Sequence, residues 1–264
     1  MRIFRDESGS VDERCLPSVP TAAMRIVELA QHRECGIAEL WQAVHRDPAS
    51  VLALLQTARR CRRARGAHES LHAAIERLGV SRALRVCLEF RLPDAQEPVG
   101  VDYIRYWRRA LLTAAYARAI AGRLRSRDLE RIHVAAILRN VGDLHGGDSA
   151  DWLDGQGVAA NLCAWVRSSH GPALESGAGH DAAACLALAA GMAEVWLRPD
   201  WETSLAQTQA LAQRLFGSIP DLCSWVFGVL GPQASDLEAL AQIRLPSRRD
   251  REDLYRRAAA LRQS

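Results

Sequence analysis

The sequence predicts an all-α protein, and three observations lead there. No stretch sustains the alternation of apolar and β-branched residues that a strand needs. Alanine and leucine, both strong helix formers, dominate, and apolar residues recur at helical spacing along nearly the whole chain. Caps, glycines and prolines punctuate that pattern where helices start and stop.

Taken in order, residues 1–15 read as a charged tail. Pro20 and Thr21 open a helix whose stripe is Met24, Val27 and Ala30. Gly36 separates it from a second helix carrying Leu40 and Val44. Asp47-Pro48, a cap followed by proline at the first helical position, starts a third through Leu52 and Leu55. Ser70 begins a fourth, stopped by Gly79, and Ser81 caps a fifth through Leu84, Leu88 and Phe90. Two prolines and a glycine between Leu92 and Gly100 mark a linker. A long helix over 102–125 and another over 128–144 follow, with a break at Gly146-Gly147. Further helices are expected over 151–168, 181–196, 202–216, 220–230 and 235–244, with a charged one after Ser247. This gives an N-terminal helical lobe over 16–92, a second lobe over 101–200 and a C-terminal helical extension over 201–264.

Composition narrows the function. With 48% apolar and 25% charged residues over 264 positions, the chain can bury a core and lacks the makeup of a disordered one. A net charge of +3 does not by itself indicate a nucleic-acid binder. All 34 basic side chains are arginines, which excludes a lysine Schiff base and a P-loop lysine. The seven cysteines form no CxxC and lie in apolar helical surroundings, the usage of a reduced cytosolic protein. The N-terminus lacks the apolar centre of a signal peptide. The longest weakly charged stretch, 182–193, is shorter than the roughly 18 residues a membrane span needs. A cytoplasmic protein without a membrane anchor is expected.

Few residues suggest chemistry. Arg59, Arg60, Arg62, Arg63 and Arg65 close the third helix. They read either as a solvated complement to the helix dipole or as an anion site for phosphate, nucleotide or nucleic acid. No aromatic side chains are interleaved for base stacking, which favours the solvated reading. His180-Asp181 has the form of a metal-binding dipeptide, yet Asp181 stands where a cap for an alanine-rich helix belongs. His133 has the apolar neighbours of a packed histidine. Tyr103, Tyr106 and Trp107 cluster on neighbouring turns, as an anchor between subdomains does.

The order of motifs resembles the HDOD domain, a family derived from HD-type metal phosphohydrolases. Leu16-Pro-Ser-Val-Pro20 with Ala23, Ile26 and Leu29 resembles its start. Glu39-Leu40, Val44 and Asp47-Pro48 are similar to its "EL…I..DP.L…LL" segment, and Leu71, Ala74-Ile75 and Leu78-Gly79 to "I..AI..LG". Tyr106-Trp107-Arg108-Arg109-Ala110 is similar to "FW.HS", and Ala135 to Leu144 to "AGLLHDIGKL". The likeness runs from Leu16 to about Trp196, and implies an HDOD-like domain over 16–200.

The departures from an active HD enzyme carry the functional expectation. Arg109 stands where its first ligand histidine would be, Arg139 and Asn140 where its His-Asp pair would be, and Asp143 where a lysine follows the glycine. Two guanidinium groups would then occupy an ion pocket. Unit charges of like sign at 4 Å repel by about 4 kcal/mol at an effective dielectric of 20, and arginine does not deprotonate to become a ligand. The resemblance therefore implies a bacterial, non-catalytic regulatory module without cofactor, acting through contacts with other signalling proteins. The seam between lobes, with Tyr103, Tyr106 and Trp107, is the expected place for a partner or switch. Two arrangements of the substituted pocket are open. In the preferred one, Arg139 and Asp143 pair at i, i+4 and plug it. In the other, Arg105, Arg109 and Arg139 grip an anion such as a cyclic dinucleotide or nucleic-acid phosphate. A third reading moves a metal site to His170, His180 and Asp181.

Overall fold

The computed structural model of the chain describes residues 16–32, 35–61, 70–93, 102–170, 180–216, 224, 228 and 232–263. Among them are fourteen α-helices and no strand. The N-terminal part holds α1 (Pro20–Gln31), α2 (Ile37–Val44), α3 (Pro48–Arg60), α4 (Leu71–Leu78) and α5 (Val80–Cys87). The second part holds α6 (Tyr103–Arg123), α7 (Leu129–Leu138), α8 (Gly142–His145), α9 (Ser149–Gly155), α10 (Ala160–His170) and α11 (His180–Leu197). The C-terminal helices are α12 (Trp201–Phe216), α13 (Ala234–Ala241) and α14 (Arg248–Gln263). No helix among the described residues is long and apolar enough to cross a membrane.

Short polar residues start several of these helices by taking up N–H groups that the first turn leaves unbonded. Ser70 accepts from Ala73 N at 3.1 Å and Asp102 from Arg105 N at 2.9 Å. Asp47 does more than cap α3. It is fully buried and accepts from Ser50 N at 3.1 Å, Ser50 Oγ at 2.5 Å and Val19 N at 2.9 Å. The Asp-Pro motif thus also holds down the segment that precedes α1.

Four expectations need correction. Met24 is 48% exposed, and the buried stripe of α1 runs through Ala23, Ile26 and Val27 instead. Ser81 lies inside α5, because Gly79, at φ +74°, both ends α4 and precedes α5. The helix over 128–144 is broken after Leu138. Arg139 N, Val141 N and Asp143 N each bond three residues back, a tighter turn that separates α7 from α8. The helix over 151–168 is likewise two, parted at Gly157, whose φ of +75° no helix accepts. The expected helix 220–230, the tail, the linker between Leu92 and Gly100 beyond Pro93, and Arg62, Arg63 and Arg65 lie outside the described residues, but for Ser224 and Gly228.

α6 lies at the centre, packed against α7 and α11, while α12 covers α11 and α10 packs on α9 and α11. α7 also reaches α3 and α4. The C-terminal helices fold back, with α13 touching α6 and α14 lying on α1. The apolar core runs without interruption from Leu16 to Ala258 and includes the fully buried Trp107, Tyr116 and Ile137. Each large side chain so removed from water contributes roughly 1.5–3 kcal/mol.

Candidate functional site

Arg109 points from the middle of α6 toward the turn after α7 and the end of α11. Its Nη1 meets Asp143 Oδ2 at 2.6 Å and its Nη2 meets Glu194 Oε1 at 2.7 Å. Glu194 in turn accepts from Arg198 Nε at 2.8 Å. One guanidinium therefore ties α6 to α8 and α11. Arg139 sits beside it. Its Nε donates to Ser169 Oγ at 2.9 Å, Nη2 to Ser169 O at 3.0 Å and Nη1 to Asn140 Oδ1 at 3.1 Å. The expected Arg139–Asp143 pair is not formed. The break after Leu138 leaves Arg139 in the turn past the end of α7 and Asp143 on α8, and Asp143 bonds Arg109 instead. Burial, and next the charge of Arg109, push the Arg139 guanidinium down to about 10. Burial and Arg139 also lower His170, whose Nδ1 lies 2.9 Å from Val166 O.

The donor set does not fit a divalent cation. Both nearby carboxylates, Asp143 and Glu194, are held by Arg109, and the one amide oxygen, Asn140 Oδ1, is held by Arg139. Two cations stand where ligands would be needed. Of the relocated set, His170 is placed as above, and the side chains of His180 and Asp181 lie outside the described residues.

The other candidates are dispersed. Arg105 and Arg60 are exposed. Arg59 donates to Gly157 O and, at 3.4 Å, to Val158 O, so it braces the loop before α10. Beside it Gln56 Nε2 bonds Gln156 O at 3.1 Å and Gln156 Oε1 at 3.0 Å. Trp107 is fully buried and donates from Nε1 to Pro17 O at 3.1 Å, which joins α6 to the segment before α1. Tyr103 packs near it with its ring tilted by 32°, the ring centroids 6.0 Å apart. Tyr106 is buried, which raises its phenol, with Asp47 and Asp143 adding to the rise. His133 is buried in a ring cluster with Trp41 and His45 between α7 and α2, its Nε2 donating to His45 O at 2.9 Å. Burial pushes His45 down to about 3 and His133 to about 4, so both are neutral near pH 7.

Sequence reasoning missed Glu194, Arg198 and Ser169. Glu194 had a signal: it is the one acidic residue between Ala182 and Leu197, with an arginine four residues on. Ser169 had none, since its partner lies far away in sequence.

A long central helix, its broken successor and an arginine-rich crossing define an all-α helical domain. The HDOD domain model matches residues 16–148, half of the chain, and the chain belongs to the HDOD family. Two crystal structures of the MmoQ response regulator from Methylococcus capsulatus str. Bath share the fold. One has a TM-score of 0.65 at 20% identity and covers 82% of this chain and 98% of that one. The other, of fragment 20–298, has a TM-score of 0.59 at 19% identity, with coverage of 74% and 92%. No curated protein matches the sequence.

Proposed function

We propose that this chain is a non-catalytic signalling module that acts through contacts with other signalling proteins. The observation that carries this is Arg109 bonded to both Asp143 and Glu194, at the position where the resemblance implies a ligand histidine in an active HD enzyme. Metal-activated water needs free oxygen or nitrogen ligands, and here the carboxylates neutralise a guanidinium. Membership of the HDOD family supports the reading, as does a fold shared with a protein known as a response regulator. The test has two arms. Purified protein is assayed for manganese, iron and zinc and for hydrolysis of phosphomonoesters and cyclic dinucleotides. The expected result is no stoichiometric metal and no turnover, and metal-dependent turnover overturns the non-catalytic reading. Affinity capture from the source cells with the intact chain is expected to retain a signalling protein at defined stoichiometry. Capture of nothing above background overturns the contact reading.

A further inference from the structure

We propose that the crossing of α6, α7 and α11 binds one small oxyanion of the phosphate class. The inference rests on the reading that this position holds no metal, and adds a ligand to it. Arg109 and Arg198 bond two carboxylates, Asp143 and Glu194, while Arg139 beside them bonds neither, so these five groups carry one positive charge in excess. That excess falls on Arg139. Both carboxylates bond other arginines, and the acceptors around Arg139 are a hydroxyl, a backbone carbonyl and an amide, all neutral. Arg139 is partly buried; a guanidinium drawn even partly out of water without a carboxylate carries a cost, and an anion offsets it.

Donors accompany the charge. Asn140 is 4% exposed, and its Nδ2 has no acceptor among the described residues. Its own Oδ1 is bound to Arg139, which places the amide hydrogens beside that guanidinium. Arg109 Nε is likewise buried without an acceptor, while its two terminal nitrogens hold Asp143 and Glu194. Along the same helix Tyr106 and Thr113, one turn before and one after, bury hydroxyls without partners. Buried polar groups are nearly always bonded. Unpaired donors on Asn140 and Arg109 beside a surplus cation match an oxyanion, whose charged oxygens accept, and not a cation or an apolar ligand.

The experiment measures binding of inorganic phosphate to the intact chain by equilibrium dialysis and by thermal unfolding, with sodium chloride at matched ionic strength as control. One phosphate per chain is expected, with Tm raised by about 2–3 °C at roughly tenfold excess over the dissociation constant. Asn140→Asp replaces the amide with an isosteric carboxylate that supplies the counter-charge itself. It should bind no phosphate and melt no lower than the parent in phosphate-free buffer. Arg139→Gln is the second variant and should also lose binding while keeping the helical circular-dichroism spectrum. AMP distinguishes the source of the phosphoryl group: competition with phosphate assigns the site to phosphate esters, and failure to compete assigns it to the free ion. No phosphate binding by the parent chain, or binding retained in Asn140→Asp, overturns the proposal. Stoichiometric metal with hydrolysis would instead overturn the reading beneath it, and is seen in a separate assay.

Discussion

Replacing Arg109 with methionine removes a charge that two carboxylates share while leaving the stem to pack. Arg109 and Glu194 are each about one-fifth exposed, so the stranded carboxylates keep partial hydration, and Arg198 still serves Glu194. The expected loss is about 2–4 kcal/mol, below the full penalty for an orphaned buried charge, read from the urea midpoint at constant m. The surface pair Arg248–Glu252 is the control: it is mostly exposed, and removing it should change the midpoint little. A loss of under 1 kcal/mol for Arg109→Met would show that the network does not clamp its helices. Gly142 makes a second prediction at this scale. A Cβ there would sit 2.2 Å from the backbone oxygen of Gly147 and 2.9 Å from Ser149 Oγ. Backbone must move to admit it, so Gly142→Ala should cost about 2 kcal/mol or more, seen as a drop in Tm. A neutral Gly142→Ala would mean that the turn after α7 is slack.

At the scale of elements, the ring cluster between α2 and α7 sets an acid limit. His45 and His133 titrate at 6.5 when unfolded and at about 3 and about 4 in the fold. The folded state thus binds fewer protons than the unfolded one between these values, and stability is lost as pH falls below 6.5. The slope is about 1.4 kcal/mol per pH unit for each histidine. Arg46 and Arg118 oppose protonation of His45, and Arg118 opposes that of His133, with Asp236 acting the other way on His133. Unfolding free energy measured from pH 7 to 4.5 should therefore fall steeply before most carboxylates titrate, and His133→Gln should roughly halve the slope. An unchanged slope in that variant would remove the cluster from the account. The elements themselves were largely legible. Asp47, Ser70 and Asp102 announced helix starts because a cap is a local interaction, readable from a few neighbouring residues. The break after Leu138 was not, because apolar spacing continues across it and the reason for Gly142 lies in the approach of Gly147. The site was legible in part for the same reason. Arg109, Arg139 and Asn140 stood out at motif positions, but their partners Glu194 and Ser169 come from helices whose placement only the fold decides.

Across the whole molecule, the lobes are joined by more than the chain between them. Trp107 Nε1 bonds Pro17 O, Gln56 and Arg59 hold the loop at 156–158, and His133 bonds His45 O. Arg46 meets Asp236 at 2.6 Å, and Tyr255 on α14 accepts from Leu92 N at 2.7 Å, so the C-terminal helices are tied to the N-terminal part as well. The apolar core crosses every one of these boundaries. Two lobes that each buried their own core would melt separately, whereas a shared core makes the loss of either expose the other. The expected behaviour is one cooperative transition. Hydrogen exchange of the slowest amides in α3 and in α11 should report the same opening free energy, and urea unfolding followed by far-ultraviolet circular dichroism and by tryptophan fluorescence should coincide. Removing the bonds at the loop in the pair Gln56→Ala and Arg59→Ala should lower both opening energies together, by about 1–3 kcal/mol. If the cost appeared only in α3, with α11 unchanged, the two lobes would be independent folding units and their shared core a matter of contact, not of stability.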